Sequence, residues 1–297
     1  MLDLNKSQEK RITVGKLLKD YIELIKPKIT LLNILTAVTA HFFAGGNGFT
    51  ASILSFSGFL AAGGASALNH YLDRDLDSRM RRTAKRPLPS GRIKPPQIAV
   101  YMGSAMILTA SIISAIYLNM VTAIFIVGGA AFYIFYTAFL KRRTVWNIVI
   151  GGISGSFAPL AGWSAATGVS PPAIILAILV FLWTPGHFWA LAMRAVNDYR
   201  AAGLPMLPAV VGSRRAALAT AISNILSVLG AAALIPYIPQ PSYYLLLAVP
   251  ISALLIWDSI VLVKNVTPEN AWRCFKISSP WLALIFVGIT LHLFIGG

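Results

Sequence analysis

The 297-residue sequence predicts an all-α, polytopic membrane protein, and three observations lead there. The chain is 57% hydrophobic and only 12% charged, against about 25% charged residues in soluble domains. Its mean hydropathy is +0.71. Apolar runs close to the roughly 20 residues of a membrane-spanning helix recur at 29–46, 50–72, 97–117, 119–140, 144–165, 171–193, 216–237, 242–263 and 277–296. Nine transmembrane helices are expected.

The basic residues set the orientation. Of 25 Lys and Arg, seven precede the first run and eight lie between the second and third. Three (Lys141, Arg142, Arg143) lie between the fourth and fifth, four (Arg194, Arg200, Arg214, Arg215) between the sixth and seventh, and three (Lys264, Arg273, Lys276) between the eighth and ninth. None is left for the other face, whose connections read GGNGF, LNM, TGVSPP and IPQPS. Lys and Arg mark cytoplasmic loops, so the N-terminus is placed inside. The net charge of +15 is then a topology signal and not a nucleic-acid footprint. The expected setting is the plasma or inner membrane of a prokaryotic cell, with the functional loops on the cytoplasmic side. The single cysteine, Cys274, excludes a disulfide framework and a thiolate metal cluster.

Residues 1–28 read as a cytoplasmic segment. The stretch VGKLLKDYIELIKP puts Leu17, Leu18, Tyr21, Ile22 and Ile25 on one face of an amphipathic helix lying on the inner membrane surface. The absence of an apolar h-region and the presence of Asp3 and Glu9 argue against a cleavable signal or a transit peptide. Residues 29–297 read as one transmembrane domain with two long inner-face loops, about 73–96 and 194–215. Each follows an even-numbered span that ends in polar residues, as two arms of a weak internal repeat would. In the fifth span, Asn147, Gly151 and Gly155 at four-residue spacing, with Gly152 and Ser156, suit close helix packing better than a ligand.

The first arm, NHYLDRDLDSRMRRTAKRP, carries the sharpest chemical signal. Asn69, Asp73 and Asp77 recur every four residues and share a helical face, whereas Asp75 points away. Like charges at that spacing repel, the more so beside hydrocarbon, so the pair requires a cation or basic partners. Oxygen ligands of this kind suit Mg²⁺ bound with a phosphate-bearing substrate, and Arg82, Lys85 and Arg86 follow directly as phosphate partners. An interfacial ion-pair network with Arg74, Arg79, Arg81 and Arg82 explains the spacing equally well. The second arm, LWTPGHFWALAMRAVNDYRAAGLPMLP, places His187 inside a span beside Pro185-Gly186, where an ionisable residue and a loosened helix suggest function. A satisfied structural histidine is the alternative. Asp198 lies near Arg194, Asn197 and Arg200 and is the natural partner for the first cluster. Tyr133 and Tyr136 read as membrane-interface anchors rather than cation-facing rings. Asp258 reads as interfacial or paired, and His41 and His292 as structural. His70 stays open.

Together the two arms resemble those of the UbiA-type membrane prenyltransferases, which carry an Asn-x3-Asp-x3-Asp motif and a second acidic motif. Met80, Arg82-Thr83, Arg86-Pro87, TPGHFWALA and the DY…AG.PMLP tail are similar to the haem O synthase (protohaem IX farnesyltransferase) branch of that family. The resemblance implies helices around a central cavity and transfer of a farnesyl group from farnesyl diphosphate to a vinyl group of haem B. It implies Mg²⁺ held by Asn69, Asp73, Asp77 and Asp198, the three aspartates being catalytic. It implies diphosphate contacts from Asn69, Arg82, Lys85, Arg86, Lys141 and Arg194, and His187 as a haem contact. Association with haem A synthase or oxidase assembly proteins would follow from the same source. Two departures stand out: Gly186 replaces a frequent second proline, and Asn197 precedes Asp198 where an acidic pair is usual. Competing functions are prenylation of an aromatic or quinone precursor and cation-coupled transport. Transport sites usually lie near the midplane on broken helices, whereas these carboxylates gather at one mouth.

Overall fold

The computed structural model describes residues 15–291 and 293; Asp3, Glu9 and His292 lie outside them. A helix at 15–24 (α1) is followed by α2 (Pro27–Phe43), α3 (Gly48–Ser78), α4 (Ile98–Tyr117) and α5 (Met120–Phe135). A π-helical turn, Tyr136–Leu140, extends α5 before α6 (Asn147–Ser164) and α7 (Pro171–Arg194). Two short helices, α8 (Val196–Ala201) and α9 (Leu207–Val211), precede α10 (Ser213–Ala232), α11 (Pro241–Lys264) and α12 (Pro268–Thr290).

Among the described residues nine helices have sixteen or more residues, and seven of them are long and apolar enough to cross a membrane. The other two are α2, with 17 residues, and α6, with 18, which glycines and serines make less apolar. Three boundaries differ from expectation. The apolar span ends at 72 but α3 stays helical to Ser78, as the shared face of Asn69, Asp73 and Asp77 requires, so the expected loop at 73–96 begins six residues later. α12 begins at Pro268 rather than 277. Thr267 caps it by accepting from the Asn270 N–H at 3.2 Å, with Pro268 in the first turn and Glu269 against the helix dipole. The expected loop at 194–215 contains α8 and α9.

The helices close into a ring. Each of α2 to α7 packs on the next, α7 passes contact to α10, then α11 and α12, and α12 returns to α2. α6 is the common surface of three neighbours. Its Gly152 and Gly155 lie against Thr184 and Val180 of α7, and Gly151 against the Tyr136 ring, so the small-residue spacing serves packing as expected. At Gly162 a Cβ would come within 1.9 Å of the Ala37 carbonyl oxygen. The end away from the basic residues is closed by asparagines. Asn47 and Asn119 accept from the N–H groups of Thr50 and Thr122 at 3.0 and 2.8 Å. His41 is structural as expected, its ring nitrogens meeting Gly162 O and the Thr50 hydroxyl.

At the opposite end α1 folds against the segment linking α3 and α4. Leu24 and Tyr21 pack with Ala67, Leu88 and Ile93, and Arg92 binds Asp20 and Glu23 at 2.9 and 3.1 Å. Leu17, Leu18 and Ile22 remain exposed, leaving an apolar face for a bilayer surface, while Tyr21 of the expected face is turned inward. At Gly162, backbone approach leaves no room for a methyl group. Gly162→Ala is expected to destabilise the detergent-solubilised protein by about 2 kcal/mol, within the usual range for overpacking. Gly168→Ala, with nothing within 4 Å of its Cβ, should leave the thermal midpoint unchanged.

Candidate active site at the basic end of the bundle

The tail of α3 buries its polar face: Asn69, Asp73 and Asp77 are 3%, 1% and 4% exposed. A carboxylate taken out of water costs several kcal/mol unless it is paired. Three cations from distant parts of the chain meet this cost. Lys141 Nζ lies 2.5 Å from Asp73 Oδ2, and Arg86 Nη1 lies 2.7 Å from Asp77 Oδ2. Lys26 Nζ lies 2.5 Å from Asn69 Oδ1.

Local structure delivers each of them. The π-helical turn that ends α5 brings Lys141 round to Asp73, a use of π-turns common at functional sites. Arg86 sits in a turn-rich stretch tied to α3 by the Thr83 hydroxyl, which donates to Asp77 O at 3.0 Å. Lys26 has φ 47°, the only non-glycine positive φ among the described residues. It precedes Pro27, where extended backbone is favoured, and such strain costs about 1–3 kcal/mol. Burial lowers the Lys26 ammonium to about 7, Arg86 and Lys141 push the same way, and Asp73 and Asp77 oppose them.

The Asn69 amide is fixed by its neighbours. Its Nδ2 donates to Asp73 Oδ2 at 2.9 Å and to Thr137 Oγ1 at 3.1 Å, and the Thr137 hydroxyl in turn donates to Tyr133 O. Oδ1 is thereby aimed at Lys26. Asp73 Oδ1 is buried and has no hydrogen-bond partner among the described residues. A buried carboxylate oxygen left over beside an amide oxygen and a second carboxylate is an all-oxygen donor set that fits a hard divalent cation. No three His, Cys, Asp or Glu among the described residues are grouped closely enough to hold a metal by themselves, so Asp198 is not assembled with Asp73 and Asp77. It lies half-buried in the first turn of α8, where its carbonyl accepts from the Ala202 N–H at 3.0 Å, and its carboxylate has no hydrogen bond or ion pair among the described residues.

Other expected residues are dispersed. Arg82 and Lys85 are exposed and their side chains form no ion pair among the described residues, and Asp75 turns outward to Arg74 at 3.4 Å. Arg194 stands over the Trp272 ring, 4.8 Å from its centroid, and so belongs to the second arm. Asp258 is paired with Arg273. Tyr133 and Tyr136 are not interface anchors: the Tyr133 hydroxyl is 3.4 Å from Lys26 Nζ, and Tyr136 is buried against α6. His70 is 1% exposed with both ring nitrogens lacking partners among the described residues. Sequence reasoning counted Lys26 only as topological charge and passed over Thr137. The KP dipeptide at a helix start was the one available hint.

In the second arm, Pro185 loosens α7 and α10 repairs it. The Gly186 N–H donates to the Ser223 hydroxyl at 2.9 Å, and that hydroxyl donates to Leu182 O at 2.5 Å. The serine thus stands between a donor and acceptor four residues apart, a recognised cause of helix bending. Gly186 permits the approach, since a Cβ there would lie 2.4 Å from Asn224 Oδ1. At the next residue, His187 is sandwiched between Trp183 and Phe275, each 4.4 Å away. Its Nδ1 is 2.6 Å from Ser278 Oγ, whose own proton goes to Phe275 O. Nδ1 therefore carries the ring hydrogen as donor, leaving the Nε2 lone pair free. With both ring faces covered, only that edge can meet a ligand.

Residues 31–287 match the UbiA prenyltransferase family model. A Cenarchaeum symbiosum protein named protoheme IX farnesyltransferase 1 is 42% identical over 92% of this chain and 95% of its own length. A Roseiflexus protein named protoheme IX farnesyltransferase is 40% identical over 93% of this chain, which spans about half, 52%, of that relative. The structure of an Archaeoglobus fulgidus UbiA homologue, described as bound to DMAPP and Mg²⁺, is similar in fold. Its TM-score is 0.66 at 19% identity, covering 92% of this chain and 99% of that one.

Removing one partner of a buried ion pair strands the other charge. Lys141→Met is expected to destabilise the protein by about 3 kcal/mol. Adding Asp73→Asn should recover part of that loss, giving a favourable coupling energy in a double-mutant cycle followed by thermal unfolding in detergent.

Proposed function

The chain belongs to the UbiA prenyltransferase family, and from that premise we propose that it farnesylates haem B to haem O, releasing diphosphate. The names of the close relatives support both donor and acceptor. The observation that carries the donor half is the buried Asp73 Oδ1 without a partner, set among Lys26, Arg86 and Lys141. Metal-directed oxygens beside convergent cations suit a diphosphate and its divalent ion.

Asn69, Asp73 and Asp77 would hold Mg²⁺. The ion would supply Lewis-acid stabilisation of charge gathering on the leaving diphosphate. Lys141, Arg86 and Lys26 bind the phosphate oxygens and oppose the same charge as the C1–O bond breaks. The terminal vinyl carbon of haem B attacks the allylic C1 of the farnesyl group. Water then adds to the resulting cationic carbon and loses a proton, which completes the hydroxyethylfarnesyl group. On the acceptor side His187 offers Nε2 edge-on and unprotonated, the form that ligates iron. Ser278 holds its ring, and Trp183 and Phe275 cover its faces. With the basic end in the cytoplasm, as the charge bias directs, the diphosphate is delivered from that side.

Purified protein given farnesyl diphosphate, Mg²⁺ and haem B should yield farnesylated haem by mass spectrometry. Prenylation of a phenolic acid with no haem product would overturn the acceptor assignment. Asp73→Asn and Asp77→Asn should each lower turnover at least about a hundredfold while the protein remains inserted, consistent with loss of metal-assisted charge stabilisation. Full activity in either would remove that residue from the metal site. His187→Ala should raise KM for haem more than KM for farnesyl diphosphate, and the reverse split would reassign it.

A further inference from the structure

We propose that Lys26 and the divalent cation compete for one atom, Asn69 Oδ1, and that the displaced Lys26 ammonium then binds the diphosphate. This rests on the prenyl diphosphate reading of the site and assigns a residue that no motif marks. Lysine is a poor local choice at position 26. The residue caps the start of α2 without a side-chain hydrogen bond, and its positive charge opposes the positive end of the helix dipole. Its backbone is left-handed immediately before a proline. Nothing local repays these three penalties, so the reason for the residue lies at the far end of its side chain.

There Nζ meets Asn69 Oδ1 at 2.5 Å. Both Asn69 amide hydrogens are engaged by Asp73 and Thr137, so Oδ1 is the only atom Asn69 can offer a metal. That oxygen has two lone pairs, but an ammonium and a divalent cation on one buried atom repel strongly, so the arriving metal drives the ammonium off. A second resting place is at hand, because the Tyr133 hydroxyl lies 3.4 Å from Nζ and its ring centroid 5.9 Å away. The charge count agrees. With Lys26 protonated, Lys26, Lys141 and Arg86 against Asp73 and Asp77 leave one positive charge, which one Mg²⁺ and a trianionic prenyl diphosphate bring to neutrality. Without Lys26 the same load would leave a buried negative charge.

The test measures metal and anion separately, using the full chain in detergent, Mn²⁺ followed by electron paramagnetic resonance, and inorganic diphosphate with Mn²⁺ followed by calorimetry. Lys26→Met should bind Mn²⁺ alone about tenfold more tightly and diphosphate about tenfold more weakly, the size expected for one charged hydrogen bond. Lys26→Arg should restore diphosphate binding, and the exposed neighbour Lys28→Met should match wild type in both. Opposite signs in one variant are what a merely structural lysine would not give. Unchanged affinities, or both weakened together, would overturn the exchange. Wild-type protein that binds neither Mn²⁺ nor diphosphate would overturn the prenyl diphosphate reading itself.

Discussion

Two carboxylates buried on one helical face, Asp73 and Asp77, set the terms for the whole basic end of the molecule. Neither can stay charged in such surroundings without a counter-charge, and their own helix supplies none within reach on that face. The chain answers with Arg86, nine residues after Asp77, with Lys141, 68 after Asp73, and with Lys26, which sits 43 residues before Asn69 and binds its amide oxygen. Each answer shapes local structure: a strained residue before α2, a turn-rich segment braced by Thr83 and Arg92, a π-helical close to α5. The extended α3 is the spine from which these features hang.

The second arm is organised around a different constraint, an interrupted helix in an apolar setting. Pro185 removes a donor, and every backbone group near it needs a partner that lipid cannot provide. At the next position Ser223 bridges the Gly186 N–H and Leu182 O, at the cost of bringing α10 so close that only glycine fits at 186. The opening created there is filled by aromatic stacking, which runs from Trp183 through His187 and Phe275 to Trp272 and ends under Arg194.

What was legible in the sequence was whatever is periodic or compositional. Helical spacing put Asn69, Asp73 and Asp77 together and set Asp75 apart, and the distribution of Lys and Arg put every basic loop at one end. Helix–helix packing by the glycines of α6 was equally visible. Partner identity was not. Lys26 looked like one more inner-face charge and Tyr133 looked like an interface ring, because each is decided by contacts between residues far apart in the chain. Charged and polar residues also concealed real helix: hydropathy ended α3 six residues early and began α12 nine residues late. Asp198 is the reverse case, plausible in sequence yet standing apart from the first cluster.

The length of α3 has one more consequence. Thirty-one residues make a rod of about 46 Å, while the hydrocarbon core is about 30 Å thick. An upright α3 that enters the hydrocarbon at its first turn would carry Asp73 and Asp77 to the depth of the lipid headgroups, where phosphate esters crowd the water. Cations gathered at that level meet an abundant decoy anion of nearly the right chemistry. Discrimination cannot come from charge there, since the decoys have it too. It has to come from enclosure, and side chains only 1–4% exposed are what shuts a headgroup out. The burial that makes these carboxylates costly is also the sieve that keeps the bilayer from poisoning its own enzyme.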